Sequence, residues 1–134
     1  MTIASETLLV FVGGSPRSGT TLVQRLIGAH SEVYAGPEFD FVPHIMNLRR
    51  AMQGAGENGR IAPIIDSDGV DRGMRAMMHT IFATKARNEG VRVFSEKTPA
   101  NLTEFPALIE LLPEARFVFV LRDPLAITAS MKKV

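Results

Sequence analysis

Cysteine is absent from these 134 residues. That excludes a disulfide framework and any thiolate metal site, and it suits a reducing, cytoplasmic setting. An excess of either charge is missing too. Fifteen Lys and Arg stand against 14 Asp and Glu, a net +1. A chain so balanced is not a general binder of nucleic acid or membrane, and any basic site must be local. No apolar run approaches the length of a membrane span. The opening MTIASETLLVFVGG has no basic start and only a short apolar run, so no signal peptide is expected. There is no internal repeat. The three histidines, His30, His44 and His79, show no ligand spacing, so no metal is expected.

What is present suits one domain with a real core. A first strand is expected from about Thr7 to Val12 and a helix from Thr20 to His30, with Leu22, Val23, Leu26 and Ile27 as its apolar face. SEVYAGPEFDF reads as a loop before a second helix, about Phe41 to Met52. Residues 53–68, rich in Gly and polar side chains, read as a mobile surface loop. A third helix, about Val70 to Asn88, carries Met74, Met77, Met78, Ile81 and Phe82 at helical spacing, a stripe expected to face the core. Gly90 ends it. VRVFSEK (Val91–Lys97) reads as a buried strand. A short helix follows near 101–112, starting at Pro106. RFVFVLRD reads as a third strand covered on both faces, and Pro124 opens a last helix towards Val134. Strands alternating with helices imply a three-layer α/β/α domain with a parallel sheet.

The stretch GGSPRSGTTLVQRL, Gly13 to Leu26, carries the chemistry. It joins the first strand to the first helix through a glycine-bounded turn. The turn's N–H groups and the positive end of the helix point at one place, where an anion fits. The spacing is nearly that of a P-loop: Gly14, four residues, Gly19, then Thr20 and Thr21. A P-loop places Lys where Thr20 stands. Here the cation lies inside the turn, at Arg17. In this fold ligands bind beyond the carboxyl ends of the strands. The other two strand ends bring Glu96, Lys97 and Thr98, and Arg122 and Asp123. Arg17, Lys97 and Arg122 are therefore expected on one rim. The alternative is that Lys97 and Arg122 merely pair with Glu96 and Asp123 at the surface.

With these residues in view, the chain resembles the sulfotransferases that use 3′-phosphoadenosine 5′-phosphosulfate (PAPS). SPRSGTTL is similar to their 5′-phosphosulfate loop, and LRDPLAITAS (Leu121–Ser130) to their 3′-phosphate motif, an Arg-Asp-Pro with Ser eight residues after the Arg. EKTPAN (Glu96–Asn101) resembles the second-strand segment of the tyrosylprotein and carbohydrate branches. All three occur in order, over about Leu8 to Lys132. The resemblance implies PAPS as co-substrate, with no metal. It places Pro16, Arg17, Ser18, Gly19, Thr20 and Thr21 at the 5′-phosphosulfate, and Arg122 and Ser130 at the 3′-phosphate. Lys97 and Arg17 would stabilise the departing phosphate. Glu38, in AGPEFDF, would be the general base on an unknown acceptor hydroxyl of a tyrosine peptide, a sugar, or a small alcohol or phenol. Asp40 is the weaker candidate for that role. The cytosolic small-molecule branch instead has His after its Lys-Thr, where Pro99 stands here.

Family members are usually about twice this long, so residues 1–134 are expected to be the N-terminal, nucleotide-binding part of a truncated domain. Such a part could bind nucleotide without catalysis. A strand order of second-third-first is expected, with LLVFV left as a bare apolar edge open to self-association. The rival enzyme is a P-loop kinase or NTPase, with Thr20 or Thr21 on Mg²⁺ and Asp123 as the acid after an apolar strand. The missing Lys at position 20 argues against it. Phosphate release from ATP with Mg²⁺ is expected to stay at background, and measurable turnover would favour the kinase reading.

Overall fold

A computed structural model describes residues 6–133. The first five residues of the segment read for a signal, and Val134 at the end of the expected last helix, lie outside the described residues. Strand β1 (Leu8–Gly14) leads to α1 (Thr20–Gly28), β2 (Val33–Ala35), α2 (Val42–Glu57) and α3 (Ser67–Asn88). Then come β3 (Val93–Lys97), a 3₁₀ turn (Pro99–Glu104), α4 (Phe105–Leu111), β4 (Arg116–Val120) and α5 (Pro124–Met131). The sheet is all parallel, in the order β2-β3-β1-β4.

This order corrects the expectation for the first strand. LLVFV is central, paired with β3 on one side and β4 on the other, so it offers no bare edge for self-association. Every residue of β1 after Leu8 is buried, and such a strand is covered best with neighbours on both sides. The edge strands are β2 and β4 instead. No residue of β4 is buried and Phe119 is 55% exposed, so the third strand is not covered on both faces as its composition suggests. The short strand β2 was hidden in a stretch that reads as loop.

Alternation along the strands sets the two faces. Leu9, Phe11 and Phe94 point into the main core, where Phe82 of α3 stacks near both Phe11 and Phe94. Helices α2 and α4 flank α3 there. The α3 stripe is Val70, Met74, Met78, Phe82 and Ala86, all buried. Met77 is off it and 40% exposed, unlike the expected stripe. Asp66 caps α3 by accepting from the Gly69 amide at 2.7 Å, and Lys85 and Arg87 lie in its last turn. The helices on either side extend into the stretch read as a loop, which shrinks to residues 58–66. Arg49 and Asp71 join α2 to α3 by a two-pronged ion pair at 2.7 and 3.0 Å.

The other face takes α1, and it does so against the helix's own pattern. Leu22 and Leu26 are 62% and 66% exposed, while Thr20 and Gln24 are buried. Gln24 explains the rotation. Its amide donates to the Ser95 carbonyl at 2.9 Å, and the Ser95 hydroxyl donates back to Gln24 Oε1 at 2.7 Å. A buried amide satisfied on both atoms fixes the helix, and the leucines face outward.

At the far end of the sheet, Glu114 accepts from Arg75 at 2.9 and 3.1 Å and lies 3.0 Å from His79. Glu6 completes this cluster. Partial burial pushes the Glu114 carboxyl up, but hydrogen bonds from Arg75, the backbone and His79 together hold it down at about 2. Its folded pKa is below the unfolded value. The stabilisation is therefore complete above about 4.5 and is lost as pH falls towards about 2. Thermal denaturation across that window should show a drop in midpoint that Glu114→Gln reduces.

Candidate functional site

The turn between β1 and α1 owes its shape to three residues. Gly14 is pressed close, since a Cβ there would lie 2.7 Å from the Val120 carbonyl oxygen and 2.8 Å from Ser18 Oγ. Gly19 has φ 102, a backbone that glycine adopts without strain. Arg17 has φ 67, which strains a side-chain-bearing residue by about 1–3 kcal/mol. Contacts from two later elements hold it. Arg122 Nη1 donates to the Arg17 carbonyl at 2.8 Å, and Arg17 Nε donates to Ser130 Oγ of α5 at 2.9 Å.

The turn also fits an anion. No side chain caps α1, and its first turn holds no acid, so the leading N–H groups keep their positive field. Ser18 Oγ is buried and has no hydrogen-bond partner. A phosphate- or sulfate-like group would satisfy the leading N–H groups of α1.

One cleft of about 370 Å³ is lined by Pro16, Arg17, Gly19, Thr20, Thr21, Glu38, Lys97, Pro99, Arg122 and Ser130. The structure thus brings Arg17, Lys97 and Arg122 to one rim. Ser18 lies beneath the turn, and Asp40 is not among the lining residues. Neither cation makes the surface pair that was the alternative. Lys97 is buried at the end of β3, where it ion-pairs with Glu38 and reaches Thr21 Oγ1 at 3.3 Å. Asp123 turns away to cap α5, accepting from the Leu125 amide at 2.8 Å. It lines no part of the cleft, so it is not placed as a kinase-type metal acid.

Sequence reasoning weighed Glu96 only as a surface partner of Lys97 and missed its burial. Glu96 is 1% exposed and makes three hydrogen bonds, from the Phe39 amide, Thr98 Oγ1 and Asn101 Nδ2. Burial holds its carboxyl above the ordinary value, and those three bonds offset only part of that rise. The signal was present in VFSEK. Alternation puts Glu96 on the same face as Phe94, which faces the core.

A second cleft, about 460 Å³, meets the first at Thr21, Glu38 and Lys97 and runs along Gln24, Arg25, Gly28, Ala29, Ala35, Gly36 and Pro37. Gly28 allows this approach of α1 to β2, since a Cβ would sit 2.6 Å from Ala35 Cβ.

Comparison with known proteins bears on this arrangement. The model of the Sulfotransferase family matches residues 10–134. The chain belongs to the sulfotransferase family. This sulfotransferase chain is 33% identical over 133 residues to protein-tyrosine sulfotransferase 2 of Gallus gallus, covering 96% of the chain and 34% of that protein. It is 32% identical over 125 residues to protein-tyrosine sulfotransferase 1 of Homo sapiens, covering 92% and 33%. An uncharacterized protein of Aquifex aeolicus is 32% identical over 124 residues, covering 90% and 16%. The chain thus spans about a third or less of the length of these relatives. The resemblance to the tyrosylprotein branch agrees with these matches. Among the described residues, no helix is long and apolar enough to cross a membrane.

Proposed function

We propose that this chain is the nucleotide-binding part of a sulfotransferase that moves a sulfuryl group from PAPS to an acceptor hydroxyl. One observation carries the reading: Arg17, Lys97, Arg122, Ser130 and Glu38, from four separate parts of the chain, line one cleft around an uncapped helix start. The amides from Ser18 to Thr21 and the Arg17 guanidinium hold the 5′-phosphosulfate. Arg122 and Ser130 take the 3′-phosphate through charge-assisted and neutral hydrogen bonds. An ATP-type ligand has no 3′-phosphate and would leave that pair without a role.

In the transfer, a bond forms from the acceptor oxygen to sulfur as the bond from sulfur to the 5′-phosphate oxygen breaks. The leaving group is 3′-phosphoadenosine 5′-phosphate. Glu38 accepts the hydroxyl proton. Lys97 and Arg17 stabilise the charge that grows on the leaving phosphate, much as in phosphoryl transfer, where positioning and charge do most of the work. Lys97 is well placed for this, being buried and already beside both Glu38 and Thr21. A donor phosphate competes with Glu38 for Lys97 and so frees the base. The acceptor approaches through the second cleft, which shares Glu38 with the first.

Calorimetric titration is expected to show that 3′-phosphoadenosine 5′-phosphate binds tighter than AMP by about 1–2 kcal/mol, a gain that Arg122→Ala removes. Equal affinities would end the assignment of the 3′-phosphate site. In a sulfate-transfer assay with PAPS, Glu38→Gln is expected to lower kcat by about 10²–10⁴-fold with nucleotide affinity retained. An unchanged kcat would reject Glu38 as base.

A further inference from the structure

Glu96 takes no part in the chemistry proposed above, yet no acid among the described residues is more deeply buried. Removing a carboxylate from water is costly unless it is paired or fully hydrogen-bonded. No cation pairs with Glu96 among the described residues. Neighbouring Lys97 points to the opposite face of β3, where α1 lies. Instead, Oε1 accepts from the Phe39 amide at 2.9 Å and from Thr98 Oγ1 at 2.6 Å, and Oε2 accepts from Asn101 Nδ2. Asn101 is itself fully buried, and its Oδ1 has no partner.

The Phe39 bond is the telling one. Phe39 directly follows Glu38, and Glu96 directly precedes Lys97. The loop from Gly36 to Phe41 wraps the end of β3. Among the described residues, the Phe39 amide is the one backbone N–H of residues 37–40 with a partner in the protein. Within residues 37–40 that amide is the one backbone tie, beside the Phe39 ring on Phe82 and the Glu38–Lys97 ion pair, so its loss loosens the backbone that joins Glu38 to β3.

We propose that Glu96 is a positioning residue whose carboxyl clamps the Phe39 amide to β3 and so holds Glu38 against Lys97. This rests on the reading of Glu38 as the base. The role is one of reach and acceptor geometry, since the charge of Glu96 faces no cation. A misplacement of about 1 Å at a reacting group can cost on the order of a hundredfold in rate.

Two conservative variants separate reach from charge. Glu96→Gln keeps the length and a carbonyl oxygen for Phe39 and Thr98. Its N–H can meet Asn101 Oδ1 if that amide turns over. Glu96→Asp keeps the charge but is shorter by one methylene. In Glu96→Asp, kcat for sulfate transfer is expected to fall on the order of a hundredfold with the KM for PAPS unchanged, and Glu96→Gln should restore most of it. Amide exchange followed by NMR should show Phe39 protected in the parent and in Glu96→Gln, and at least about tenfold faster in Glu96→Asp.

The reverse order, with the aspartate active and the glutamine not, would overturn the clamp in favour of charge. Unchanged Phe39 exchange in Glu96→Asp would also overturn it. So would a loss of PAPS affinity that accompanies the loss of rate. A failure of the base reading looks different: Glu38→Gln stays active while Phe39 exchange still follows the Glu96 series.

Discussion

The parallel pairing of β1 with both β3 and β4 is the constraint on which the site depends. It brings Val12 beside Lys97 and Gly14 beside Val120, so three strand ends open on one rim. The chain changes direction across the sheet at β1, and an open parallel sheet leaves its crevice at such a point. Arg17, Lys97 and Arg122 come from three different crossings of the sheet. Without the pairing they would be separate surface cations on a nearly neutral chain.

Charge at the rim is managed by local exchange of partners. Lys97 leans on Glu38, Arg17 on Ser130, and Arg122 on a backbone carbonyl. Each is a contact that an anion could take over, and the turn beneath is already shaped to receive one. The strained backbone at Arg17 fits this view, because the strain is held by residues that line the same cleft. Opposite them, Glu96 shows how a buried carboxylate is tolerated when three donors converge on it.

Much of this was legible from local pattern. The strand, turn and helix at Gly13 to Leu26 follow from the glycines and apolar spacing, and Arg17, Lys97, Arg122 and Ser130 sit in motifs that keep their order. The errors also have physical reasons. Periodicity marked Leu22 and Leu26 as the inner face of α1, but the paired hydrogen bonds of Gln24 and Ser95 set the helix the other way. Three residues, VYA, are too few to announce a strand by alternation, yet they complete the sheet beyond β3.

The sequence by itself determined the residues available: a glycine-bounded turn suited to an anion, the cations Arg17, Lys97 and Arg122, and the acids near them. Those depend on residue types and short spacings, which act within a turn or two of helix or strand. Tertiary structure alone decided that β1 is central and that Lys97 pairs with Glu38 rather than Glu96. It also decided that the Glu96 carboxyl is buried beneath the loop it holds. Such partners lie far apart along the chain, and only the strand order and the two-residue alternation of β3 bring them together or keep them apart.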